Sequence, residues 1–194
     1  MDNGILTTFG NYLTNTIIGV GSLFFSYIDG VDVQFESINL NPQHSQVAIS
    51  TQLSNWSSKE FDEILSSGEE IKIEYFVEVV DIYNDNIVSR KEFYHSVKYH
   101  ILDNYFEVYF SEDNRSFNIS NLEILRQKFT KITNVDVIQS NRIIENHQYK
   151  IEITAMLPVL LFPNTQKSFD MMLFWKRKIP NQTSRIFDKS IFVI

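Results

Sequence analysis

The stretch EIKIEYFVEVVDIY, Glu70 to Tyr83, decides the fold. Ile71, Ile73, Tyr75, Val77 and Val79 take every second position, with Lys72, Glu74 and Glu78 among the residues between them. A strand sends successive side chains to opposite faces, whereas a helix repeats every 3.6 residues. The run therefore predicts a strand with one buried and one solvated face.

The pattern extends in both directions. Asn84 to Asn86 turns the chain, and IVSRKEFYHSVKYHIL (87–102) returns with Phe93, His95, Val97, Tyr99 and Ile101 aligned. Asp103-Asn104 turns it again into YFEVYF (105–110), which makes an antiparallel meander. Upstream, VDVQF and INLN (31–41) run to a turn at NPQHS, with a bulge expected near Ser37. QVAISTQL (46–53) closes a hairpin. Between hairpin and meander, NWSSKEFDEILSSGE predicts a helix over 58–67, with Ser57 and Glu60 as a capping box and Gly68 as its stop. A second helix is expected over 121–132, opened by Ser120 and Glu123. YKIEITAML (149–157) and FDMMLFW (169–175) read as strands, and the apolar tail SRIFDKSIFVI is expected to pair or dock.

Composition bounds the chemistry. A chain of 194 residues suits one domain, burying roughly 70% of its unfolded surface. Aromatic residues make up 14% of the chain, which suits strands. The net charge of −7 opposes the positive field that a general nucleic-acid binder needs. Without cysteine there is no disulfide, zinc–thiolate site or thiol nucleophile. Gly68 is the last glycine, so the remainder of the chain has no phosphate-cradling loop or nucleophile elbow. Gly19-Val20-Gly21 follows no strand. His44, His95, His100 and His147 form no HxH or HExxH pair. No cofactor, metal site or catalytic set is expected. His95 lies on the inward face and is read as a hydrogen-bonded core residue, with a dispersed catalytic base as the rival. The pairs Asp62-Glu63 and Glu69-Glu70 read as solvated faces.

No charged residue occurs between Asp2 and Asp29. Ile5, Phe9, Leu13, Ile17, Val20 and Phe24 step by three and four, so Thr7 to Ile28 is expected to form an apolar helix. A spanning helix needs about 20 apolar residues, and the strongly apolar part, Thr16 to Ile28, falls short of that. A signal peptide wants a basic start and a small-residue cleavage site, and neither is present. An export signal or anchor, a helix docked on the domain or a partner, and a flexible tail all stay open. The division expected is an apolar N-terminal segment, 1–30, and one β-rich domain, 31–194.

The order of segments resembles the uncharacterised bacterial DUF4390 family. The matching positions are Phe76-Val77-Glu78-Val79, Leu122, Leu125, Tyr149, Leu157-Pro158 and Trp175, over roughly residues 31–178. The resemblance implies an envelope location, periplasmic or membrane-associated, and a β-rich fold. It implies no catalytic activity.

The expected fold is mainly β: an antiparallel sandwich or curved sheet of roughly seven to nine strands with two short helices. The expected function is a non-enzymatic cell-envelope module that binds a protein partner. The alternatives are an enzyme built around His95, or a lipid-binding, membrane-surface protein or one held in the cytoplasm. Residues 5–28 are the expected membrane-associating segment. Phe24 and Phe25, with Phe174, Trp175, Lys176, Arg177 and Lys178 of the FWKRK run, are the candidate membrane or partner contacts, as aromatic and basic groups suit a headgroup layer.

Overall fold

A computed structural model describes residues 28–162 and 167–192. The expected helix at 7–28, apart from Ile28, lies outside them, as do Phe24 and Phe25. In chain order the strands are β1 (Gln34–Phe35), β2 (Asn39–Gln43), β3 (Gln46–Ser54), β4 (Glu70–Asp81), β5 (Asn86–His100), β6 (Tyr105–Phe110), β7 (Arg115–Ile119), β8 (Lys131–Gln139), β9 (Tyr149–Met156), β10 (Leu160–Phe162), β11 (Lys167–Phe169) and β12 (Asn181–Thr183). The helices are α1 (Lys59–Leu65) and α2 (Leu122–Lys128). The chain is mainly β, and every pairing is antiparallel.

A six-stranded sheet runs β12-β9-β4-β5-β6-β7. The meander expected from the sequence supplies β4, β5 and β6 and continues one strand further, into β7. A smaller sheet places β1 and β2 on one side of β3 and β8 on the other. Phe35 faces Leu53 and Asn39 faces Ser50, so four steps on one strand match three on the other. That is the bulge expected near Ser37. Ile73, Tyr75 and Val77 of the large sheet share one core with Val47, Ile49 and Ile132 of the small one.

Several local expectations need correction. The cap of α1 is Ser58, whose Oγ accepts from the Phe61 amide at 3.2 Å. Ser57 instead donates to Asp62. The cap of α2 is Asn121, whose Oδ1 accepts from the Glu123 amide at 2.7 Å. In each case the cap sits one residue later, and the Glu of the expected box no longer holds the third helical position. Asp62 is buried rather than solvated, because Arg126 of α2 pairs with it.

Lys131 and Ile132, expected to end α2, begin β8 instead. Two bulges hide its period: Ile132 faces Thr51 but Val135 faces Ile49, and Asp136 faces Ala48 but Ile138 faces Val47. The FDMMLFW run is also not a strand. Met171–Trp175 is a 3-10 turn, capped by Asp170, whose carboxylate accepts from the Met172 amide at 3.0 Å. Met171, Phe174 and Trp175 are buried at helical spacing, and Trp175 donates from Nε1 to the Trp56 carbonyl at 3.0 Å. Trp56, Phe61 and Phe174 join edge to face around it. The tail docks as expected through Phe187, which bridges Tyr149, and β12, just before it, lies on β9.

Candidate functional site

The stripe that defines β4 ends in an acid. Asp81 follows Val77 and Val79 in register and is 1% exposed. A buried carboxylate needs hydrogen bonds to replace water. Its Oδ1 accepts from the Tyr83 amide at 2.9 Å, and its Oδ2 meets His147 Nδ1 at 2.7 Å. The 143–148 loop delivers His147 there through a positive φ at Asn146 and a bond from the Ile82 amide to the Gln148 carbonyl, 2.8 Å. The Tyr83 ring lies 5.0 Å from the imidazole.

Tyr83 and His147 line an open cleft of about 490 Å³ with Asn146, Gln148 and Lys189, and Asp81 lies buried behind the imidazole. Lys189 Nζ reaches Glu145 Oε1 at 3.2 Å. Beyond that ion pair the surface opens again, about 580 Å³, beside His44, Asn141 and Phe192. Asp81 fixes one ring nitrogen of His147, which leaves Nε2 without a hydrogen-bond partner among the described residues. A carboxylate-held imidazole at a cleft can donate, accept or carry a proton. Asp81 was legible as an acid on an apolar register. His147, in a polar loop, was not.

His95 is the second polar group of note. It is fully buried, its Nδ1 donates to the Phe129 carbonyl at 2.6 Å, and its Nε2 pairs with Glu112 Oε1 at 2.9 Å. Its ring stacks on Phe110 at 3.9 Å. A carboxylate is thus within reach, as a catalytic base would want, but the imidazole has no exposed surface to offer a substrate.

The FWKRK residues divide. Phe174 and Trp175 are buried in the core, which removes both rings from the surface. Lys176, Arg177 and Lys178 are exposed and paired: the two lysines bond Asp32 at 2.7 and 2.8 Å, and Arg177 bonds Asp170 at 3.2 Å. The two lysines hold the Asp32 carboxyl down to about 2, Lys176 most strongly.

Among the described residues, no helix is long and apolar enough to cross a membrane. No cluster of three His, Cys, Asp or Glu side chains among them is placed to hold a metal ion.

Comparison with known proteins returns no matching curated protein and no matching solved structure. The family model described as a domain of unknown function, DUF4390, matches residues 31–180. That span begins at Val31, whose amide bonds the Phe174 carbonyl, and takes in the large and small sheets except β12, with His147 and Asp81 inside it. The chain belongs to the DUF4390 family.

Proposed function

We propose that this chain is a non-enzymatic cell-envelope module, its two sheets packed as a sandwich, that binds a protein partner at the Asp81–His147 cleft. The observation that carries the reading is Tyr83, a large aromatic side chain 80% exposed over polar groups already held in place. Exposed tyrosine beside ordered hydrogen-bonding groups is the composition of a binding hot spot. Ile82 and Ile144 are exposed in the same two loops. The occupant that suits them is a protein segment offering an apolar side chain and backbone polar groups.

A photo-crosslinking residue at Tyr83 should give one discrete adduct in intact cells, and the same residue at Asn118, on the exposed β7 edge, should not. Tyr83→Ala should fail to complement a deletion strain. Equal labelling from both positions would overturn the reading.

The Asp81–His147 pair favours an enzyme as the second reading, because His147 lines a cleft whereas His95 is fully buried. Loss of function in His147→Gln with Tyr83→Ala fully active would select that alternative.

A further inference from the structure

We propose that the end of the domain where residues 28–32 attach is seated on a lipid bilayer of neutral headgroups, with Val159 and Leu161 inserted into it. This inference stands apart from the partner reading, because the two surfaces lie at opposite ends of β9. That strand leaves the cleft at Tyr149, opposite Asp81, and ends at Met156, opposite Glu74. Its eight residues separate the two ends by roughly 25 Å.

Three features meet at the far end. The first is the point where the apolar N-terminal segment joins the domain. The Val31 amide donates to the Phe174 carbonyl at 2.8 Å. Asp32 is held by Lys176 and Lys178. A Cβ on Gly30 would stand 2.5 Å from the Leu173 carbonyl oxygen, so the backbones touch. The uncharged, largely apolar sequence from Ile5 to Ile28 is therefore joined to the domain at this turn.

The second feature is the β10–β11 hairpin, tied to the same turn by the Leu157 amide on Met172 Sδ at 3.3 Å and by the Phe169 and Phe174 rings at 5.8 Å. It carries Val159 and Leu161, 54% and 67% exposed, and Ile179 beyond the turn is 54% exposed. Large exposed apolar side chains at the end of the domain where an uncharged apolar sequence joins it suit one continuous apolar phase.

The third feature is charge. Lys176, Arg177 and Lys178 face three carboxylates, those of Asp32 and Asp170 directly and that of Asp29 through its field on Lys176. The cluster is neutral, so it offers little to an anionic surface. Apolar insertion must drive the contact, with salt of little effect.

The test is flotation of the full chain with vesicles of phosphatidylcholine alone and of phosphatidylcholine mixed with phosphatidylserine. Equal binding to both, unchanged by high salt, is the expected result. Val159→Asp combined with Leu161→Asp should lower partitioning by about a hundredfold. Both sites are exposed, and far-UV circular dichroism should report an unchanged fold. In Leu161→Trp, brominated phosphatidylcholine should quench the new fluorophore, against a background from the buried Trp56 and Trp175. Tyr83→Ala should float normally, which keeps this proposal separable from the cleft. Absent flotation, binding confined to anionic vesicles, an aspartate variant that floats like the wild type, or an unquenched Leu161→Trp protein would each overturn the proposal. The last two outcomes would mean that residues 5–28 act without the hairpin.

Discussion

His95 Nε2 stands 2.9 Å from Glu112 Oε1, and the side chains are 0% and 8% exposed. The contact joins β5 to the turn after β6, and Nδ1 of the same ring reaches the Phe129 carbonyl beyond α2. Removing one partner from a buried pair leaves the other without compensation. Glu112 Oε2 is already buried without a partner among the described residues. His95→Ala is expected to destabilise the fold by about 3–5 kcal/mol. Urea unfolding measures this, and a variant as stable as the wild type would show the pair to be dispensable.

Tyr75 predicts the opposite sign. Its hydroxyl is buried with no hydrogen-bond partner among the described residues. Tyr75→Phe deletes that oxygen and is expected to stabilise the protein by about 1 kcal/mol. Burial pushes the phenol well above its usual value of 10.0, and the Glu112 charge adds to the shift. A raised folded value means that the neutral phenol's contribution is complete below pH 10 and is lost as pH rises through the folded value. Thermal melts above pH 10 should therefore fall less steeply for Tyr75→Phe than for the wild type.

Asp32 governs the attachment of residues 28–32. Its carboxyl is lowered from 3.8 to about 2 by hydrogen bonds to Lys176 and then Lys178. A depressed folded value gives a contribution present above pH 3.8 that disappears as pH falls through about 2. Exchange of the Val31 amide, bonded to Phe174, should accelerate over that window. Asp32→Asn should show faster exchange already at neutral pH and little further change on acidification. Unaltered exchange in that variant would show that the backbone contact suffices.

Arg126 ties α2 to α1 through Asp62 and donates to Glu123 of its own first turn. The arginine is partly exposed and Asp62 nearly buried. Arg126→Ala should cost about 1–3 kcal/mol, and Asp62→Ala combined with it should cost less than the two singles summed. A double-mutant cycle measures the coupling. Additive losses would mean that the pair holds nothing together.

The sequence by itself determined what repeats locally. The Ile71 to Val79 stripe, the hairpin around His44, the return through Phe93 and Val97, and the strand from Tyr149 are all periods of two. Side-chain alternation is a property of each strand alone. The two helices were legible for the same reason, through apolar spacing and a stop at Gly68. Their caps slipped by one residue because two serines, or a serine and an asparagine, compete for the same orphan amides. Long-range packing chose between them, as Asp62 drew Ser57 away and met Arg126.

The tertiary structure decided everything that depends on register between distant segments. The bulges of β8 are defined by β3, some eighty residues earlier. The 171–175 run alternates poorly enough to coil once Phe61 and Trp56 are present to receive Phe174 and Trp175. Asp81 and His147 are 66 positions apart and meet because β9 pairs with β4 in one register. Lys176 and Lys178 read as a free basic run until Asp32, more than 140 positions away, neutralises them. A local pattern reports which face of a segment is buried, and no local pattern encodes which distant side chain waits on the other side.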